Sequence, residues 1–188
     1  MIILHQYHMS PFNQKIQRLL NHKGIPFEEK YWLLAERGKV TQFSPSGKLP
    51  ALEYQGEIVC DSTDIAWFLE KTFPARPLIP ESPEARGMVH VLEDWADESL
   101  YFYEMRWRFA TGDNSGRNVE RMVENENRFM RWLMPRLIPG GLKKILANQG
   151  VGRKTLPQLE SDTARHIAAV EDLLSEGGWL VGDRLTLA

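Results

Sequence analysis

The sequence predicts a small α/β unit followed by an all-helical one, and three observations carry that reading. Short apolar runs alternate with amphipathic stretches in the order β-α-β-α-β-β-α over roughly the first 75 residues. Pro74, Pro77, Pro80 and Pro83 then fall within ten residues and mark a linker between unlike halves. Beyond them every periodic stretch is helical and no strand pattern returns. The expected organisation is one domain over 1–75, a linker over 76–86 and a helical domain over 87–188.

Ile2 to Tyr7 reads as a buried strand. Ser10 and Pro11 then supply an N-cap and a first-turn proline for a helix that Gly24 stops after Lys23, with Phe12, Ile16, Leu19 and Leu20 on one face. Phe27 to Leu33 reads as a second strand, Glu36 to Phe43 as a short polar helix, and Ser44-Pro45-Ser46-Gly47 as a loop. Pro50 to Tyr54 and Glu57 to Cys60 are brief strands joined by Gln55-Gly56, a tight hairpin signal. Asp61-Ser62 caps a helix with Ile65, Leu69 and Phe73 inward.

In the second half, Ser82-Pro83-Glu84 starts a long helix with an inner face of Val91, Trp95, Phe102 and Phe109, broken by Thr111 to Ser115. A charged amphipathic segment follows from Gly116 to Leu133. Pro135, Pro139 and Gly140-Gly141 are expected to interrupt it. Leu156 to Leu174 carries Leu159, Thr163, Ile167, Val170 and Leu174 at helical spacing.

Composition narrows the function classes. With 23 Lys and Arg against 25 Asp and Glu there is no basic excess to attract a phosphate backbone, so nucleic acid is not an expected partner. The only cysteine, Cys60, rules out an intrachain disulfide and multi-cysteine metal sites. The five histidines lack ligand spacing, so no metal is expected. The N-terminus lacks a charged segment before a long apolar run, and no stretch approaches the ~18 apolar residues of a membrane span. A cytoplasmic protein without a membrane partner is the expectation.

Three segments, Ser10-Pro11-Phe12-Asn13, Gly47-Lys48-Leu49-Pro50 and Asp61-Ser62, fall at the corners where such an α/β unit would place a bound peptide. Each has an ordinary structural use as well. Ser10 and Asp61-Ser62 read as helix caps, Pro50 as the opening of a strand, and Lys48 as a solvated loop cation. Their joint order and spacing carry the functional signal.

A thioredoxin-like α/β domain with these motifs, followed by a helical domain, resembles the cytosolic glutathione transferase superfamily, in a serine-type, bacterial-looking form. The resemblance implies that Ser10, after the first strand, faces the glutathione sulfur. It implies a cis bond before Pro50, with the Leu49 backbone pairing with the cysteinyl unit. Asp61 would meet the γ-glutamyl ammonium, Ser62 its carboxylate, and Lys48 the glycine carboxylate. Phe12, on the first helical turn, is counted with these glutathione-binding residues. Glutathione would be a co-substrate, a small hydrophobic electrophile its partner, detoxification the setting and a homodimer the assembly.

A serine hydroxyl is too weak an acid to serve as a base at neutral pH, but it donates well to a thiolate. Lowering a thiol that titrates near 8.5 by about two pH units takes roughly 2.7 kcal/mol. A hydrogen bond to a charged group, about 1.5 to 3, plus a helix N-terminus, about 0.3 to 1, reaches that order. Thiol-transferase and reductase branches carry cysteine where this chain has Ser10, so mixed-disulfide chemistry is disfavoured. Tyr7 is a weaker alternative, because the tyrosine position of other branches falls on Gln6. The other readings are a glutathione-dependent isomerase or dehalogenase, and a binding or scaffold protein without turnover.

The aromatic run Trp95, Tyr101, Phe102, Tyr103, Met105, Trp107 and Phe109 is expected to pack the helical core, with some members lining the electrophile pocket or a dimer seam. Gly182 to Ala188 resembles the family segment leading into a buried helix, with Thr186 as its cap. The chain stops there, which implies that the last helices of the second domain are missing. The face around Leu159, Ile167 and Val170 would then lie partly uncovered.

Overall fold

The computed structural model describes residues 1–112, 115–174 and 178–188. The apolar start forms β1, Ile2–Tyr7. Pro11 occupies the first turn of α1, Pro11–Lys23, and Gly24 closes it in the left-handed conformation. β2, Phe27–Trp32, ends one residue before the expected boundary. The expected short helix begins two residues early, as a 3-10 turn over Leu34–Glu36 that runs into α2, Arg37–Val40.

β3, Ala51–Tyr54, and β4, Glu57–Cys60, are joined by Gln55 and Gly56, both at positive φ (52° and 85°), which matches the right-handed twist of a hairpin. α3, Ser62–Thr72, follows with Asp61 as its cap. The sheet order is β2-β1-β3-β4, with β1 and β2 parallel and the other pairs antiparallel. This is the thioredoxin-like arrangement the sequence predicts.

Helices α1 and α3 pack on each other, burying Ile16, Leu19, Leu20, Ile65 and Leu69, while the strands bury Ile2, Leu4 and Leu52. A second cluster joins Val40, Leu49 and Ala51 to Tyr7, Trp32, Phe43 and Cys60. The buried Lys23 ammonium donates to the Phe73 and Ala75 carbonyls at 2.9 and 3.2 Å and pairs with Glu70 at 2.7 Å. All three of its donors are satisfied, which allows a lysine to sit there. Glu28, Glu29 and Lys30 leave the β2 edge charged, as an unpaired edge requires.

The helical part comprises α4, Pro83–Trp95; a π turn over Ala96–Leu100; α5, Tyr101–Ala110; α6, Ser115–Met122; α7, Arg128–Gln149; and α8, Leu156–Leu173. Ser82 caps α4 by accepting from the Ala85 amide, and Thr155 with Gln158 forms a capping box on α8. Of the expected break at 111–115, residues 113 and 114 lie outside the described residues.

Two expectations fail here. Val91 is 62% exposed while Val89 and Glu93 are buried, and in α5 Tyr103 and Met105 are the buried residues, with Phe102 half-buried against the Tyr103 cluster as expected and Phe109 not among the buried ones. The π turn inserts a wider step, so one helical phase does not run from α4 into α5. α7 also continues through Pro135 and Pro139. The carbonyls that the prolines cannot bond are on an exposed helix where water can reach them, and Leu137 between the prolines is 61% exposed.

Leu159 is fully buried, in a cluster with Tyr103 and Val151, against the expectation of an uncovered face; Ile167 is 55% exposed. The difference lies in polar anchoring. The Tyr103 hydroxyl donates to Asp162 at 3.1 Å, Lys154 and Arg165 pair with the same carboxylate, and the Trp107 indole donates to Thr163 at 2.9 Å. The Thr186 hydroxyl caps no helix and donates instead to the Ala188 carbonyl, while the Leu187 amide donates to the Leu78 carbonyl.

The fold divides into two compact units, Met1–Pro77 with Arg121–Arg131, and Leu78–Glu120 with Trp132–Ala188. Among the described residues no helix is long and apolar enough to cross a membrane.

Candidate functional site

The sheet register brings the three sequence motifs to one end. β1 finishes at Tyr7, three residues before Ser10. Its antiparallel neighbour β3 begins at that end, since His5 pairs with Ala51, the residue after Pro50. Ala51 in turn pairs with Cys60, so Asp61 and Ser62 leave β4 at the same end. Adjacent strands lie about 4.8 Å apart, which sets Asp61 roughly 10 Å across the sheet from the exit of β1.

Ser10 occupies the N-cap position in extended backbone (φ −83°, ψ 126°), yet its side chain makes no capping hydrogen bond. The ordinary structural use of this serine is therefore not realised, and its hydroxyl stands at a helix N-terminus. Asn13 fixes the turn by donating to the Tyr7 carbonyl at 2.5 Å. Phe12 is half-buried on the first turn.

The Leu49–Pro50 peptide bond is cis. The loop before it is bonded within itself, with the Ser44 hydroxyl donating to the Lys48 carbonyl at 2.7 Å and the Lys48 amide donating to Ser46 Oγ at 3.2 Å. Leu49 is buried and Lys48 is exposed. Gly47 has φ +63°, and a Cβ there would lie 2.7 Å from Arg37 Nε, so the glycine admits the guanidinium against the loop.

Asp61 does realise its structural use, accepting from the Thr63 amide at 2.9 Å. Its backbone is at φ 79° and ψ 137°, a conformation that costs a non-glycine residue about 1–3 kcal/mol. Ser62 is buried at the first position of α3.

The Tyr7 hydroxyl donates to the Gly47 carbonyl at 3.4 Å, and burial holds its pKa above the ordinary phenol value, partly offset by Arg37. Gln6 is fully buried and accepts from Gln17 at 2.9 Å. Cys60 donates to the Phe43 carbonyl from the end of β4. Among the described residues no group of His, Cys, Asp and Glu is placed to hold a metal.

Residues 9–72 match the glutathione S-transferase N-terminal domain family. That segment, residues 9–72 of the 188, carries a glutathione S-transferase N-terminal domain. It is 25% identical over 192 residues to FtsZ-localized protein A of Caulobacter vibrioides, an alignment covering 98% of this chain and 71% of that protein. It is 28% identical over 129 residues to a glutathione S-transferase of Pseudomonas putida, covering 68% of this chain and 57% of that one. It thus spans a little over half the length of the second relative. Among solved structures, a glutathione S-transferase from Methylobacterium radiotolerans in complex with glutathione sulfonate is similar at TM-score 0.56 and 26% identity, over 99% of this chain and 73% of that one.

Within this glutathione S-transferase fold, two residues near the site escape a sequence reading. Arg37, four positions after Leu33, reaches back to donate to the Ser46 carbonyl at 3.4 Å, beside Lys48. Glu126, remote in sequence, accepts from the Leu34 amide at 2.6 Å and the Ala35 amide at 3.4 Å. It closes a cleft with Tyr7, His8 and Trp32. The positive φ of Gly47 is a signal only once the loop is seen, and Glu126 has no local signature at all.

Proposed function

We propose that this protein binds glutathione at the end of the sheet, holds its sulfur as a thiolate through Ser10, and adds it to a small hydrophobic electrophile. The observation that carries the reading is the Ser10 hydroxyl, left uncommitted at the N-terminus of α1, on the same sheet end as the cis Leu49–Pro50 bond and Asp61-Ser62. An extended tripeptide spans about 10 Å, the distance the strand spacing sets between the β1 exit and Asp61. Main-chain pairing beside Leu49 would fix its register as an added strand does. Ser10 donates to the sulfur, and the first amides of α1 add positive potential. Asp61 meets the γ-glutamyl ammonium, Ser62 the adjoining carboxylate, and Lys48 with Arg37 the glycine carboxylate. A relative of 26% identity has a glutathione derivative bound, which supports the ligand class.

The test is Ser10→Ala. Because the hydroxyl caps nothing, unfolding free energy should stay within about 0.5 kcal/mol of the parent, where loss of a working cap would cost about 1. Turnover with a generic electrophile at neutral pH should fall about 10- to 100-fold, the worth of one hydrogen bond to a charged group. The pH at which bound glutathione ionises, read from ultraviolet thiolate absorbance, should rise. Unchanged turnover would remove Ser10 from the mechanism.

A second reading, a binding protein that keeps the fold without turnover, has one observation in its favour. The relative aligned with 98% of this chain is named for its localisation with FtsZ. Glutathione binding without turnover of any electrophile would select it.

A further inference from the structure

We propose that α7 docks this protein on an anionic lipid surface, with Trp132 and Leu137 entering the headgroup layer and Arg136, Lys143 and Lys144 pairing with anionic headgroups. No Asp or Glu occurs between Glu126 and Glu160, while Lys and Arg recur throughout that stretch. The near-neutral composition behind the expectation of no membrane partner averages this segment with an acidic remainder. α7 is not apolar enough to cross a membrane, so the contact is with one face of the bilayer.

Of the 22 residues of α7 only Leu146 is buried. A surface helix ordinarily hides an apolar stripe, whereas here Trp132 is 56% exposed and Leu137 more so. At about 3.6 residues per turn, Trp132, Arg136 and Lys143 fall on one face, and Leu137 and Lys144 lie one position further round. From Trp132 onward the helix belongs to the second compact unit. The Arg136 guanidinium lies 4.5 Å from the Trp132 ring centroid. Among the described residues no ion pair engages Lys143 or Lys144. Lys and Arg interspersed with exposed Trp and Leu suit a bilayer interface, where the indole sits at headgroup level and the cations stay with the anionic charge. A helix exposed over nearly its whole length is a ridge. A fluid bilayer accommodates a ridge, while a folded acidic partner would have to match it with a groove of its own.

The experiment is co-sedimentation of the full chain with vesicles of phosphatidylcholine alone or with about one-third phosphatidylserine. Each Lys or Arg near an anionic surface is worth about fivefold in binding. At about 0.1 M salt the anionic vesicles should bind at least about tenfold more tightly than the neutral ones, and that advantage should shrink at about 0.5 M. Lys143→Glu combined with Lys144→Glu, at two exposed positions, should cut the binding at least about tenfold with the circular dichroism unchanged. Brominated lipid in the anionic vesicles should quench tryptophan emission in the parent protein and quench it less in Trp132→Phe. Equal binding to both vesicles, or binding to neither, overturns the inference whatever the variants do. Binding that survives the double charge reversal overturns the assignment to α7, and equal quenching in the parent and Trp132→Phe overturns the entry of Trp132. Capture of polyglutamate with no vesicle binding overturns the bilayer in favour of an acidic protein partner.

Discussion

At Asp61 one side chain carries two duties that can be separated chemically. Its carboxylate caps α3, and its backbone holds a left-handed conformation that few non-glycine residues adopt. Asp61→Asn keeps the capping oxygen and removes the charge. Stability should stay within about 0.5 kcal/mol, because asparagine caps as well as aspartate. Affinity for glutathione should fall about tenfold or more if the γ-glutamyl ammonium pairs with this carboxylate. Equal affinity in a calorimetric titration would assign Asp61 to the cap alone. The candidate site was legible in the sequence wherever it depends on local chemistry. Ser10, Pro50, Asp61 and Ser62 each open or close an element, so their placement follows from the strand and helix boundaries. Arg37 and Glu126 were not legible, because their positions depend on packing between segments far apart in the chain.

Among the elements, β1, β2 and β3 are joined by a buried polar group. The Trp32 indole, a donor only, donates to His5 Nδ1 at 3.0 Å, which leaves Nε2 to carry the proton and donate to Glu53 at 3.3 Å. Burial holds the His5 pKa below its ordinary value, with Lys30 adding to this and the Glu53 carboxylate opposing it. The folded state therefore resists protonation more than the unfolded chain. The stability that follows is full above about pH 6.5 and is lost as pH falls through the lower folded-state value. Urea midpoints measured at about pH 7.5 and about pH 5.5 should differ in the parent protein and differ less in His5→Gln. Equal differences in the two proteins would show that other groups set the acid limit. The strands and first three helices were readable because chemistry marks each junction, from the proline of α1 to the Gln55-Gly56 hairpin and the Asp61 cap. The helical half was readable in kind but not in phase. The aromatic run from Trp95 to Phe109 hid a π turn, and Pro135 and Pro139 looked like stops in a helix that continues through them. Asn127, which accepts from the Met130 amide at 3.0 Å, is the cap that opens that helix.

For the molecule as a whole, ligand binding and stability are linked. Glutathione that binds only the folded chain should add about 2.7 kcal/mol at a hundredfold excess over its dissociation constant. For a chain of this size that is roughly a 5–10 °C rise in the midpoint of thermal unfolding. Differential scanning calorimetry with and without the peptide reads it directly. A midpoint that stays put at saturating glutathione would mean that the folded protein has no site for it.

The Glu126 carboxylate also places a condition on synthesis. Leu34 and Ala35 leave the ribosome 92 and 91 residues before the side chain that accepts from their amides. At about 5–20 residues per second, the turn after β2 waits roughly 5–18 s for its acceptor. A fragment ending at Pro77 would wait indefinitely. The rim of the proposed glutathione site is therefore completed late, by a segment that a sequence-defined N-terminal domain would omit, and excising residues 1–77 alone would yield the sheet without its finished edge.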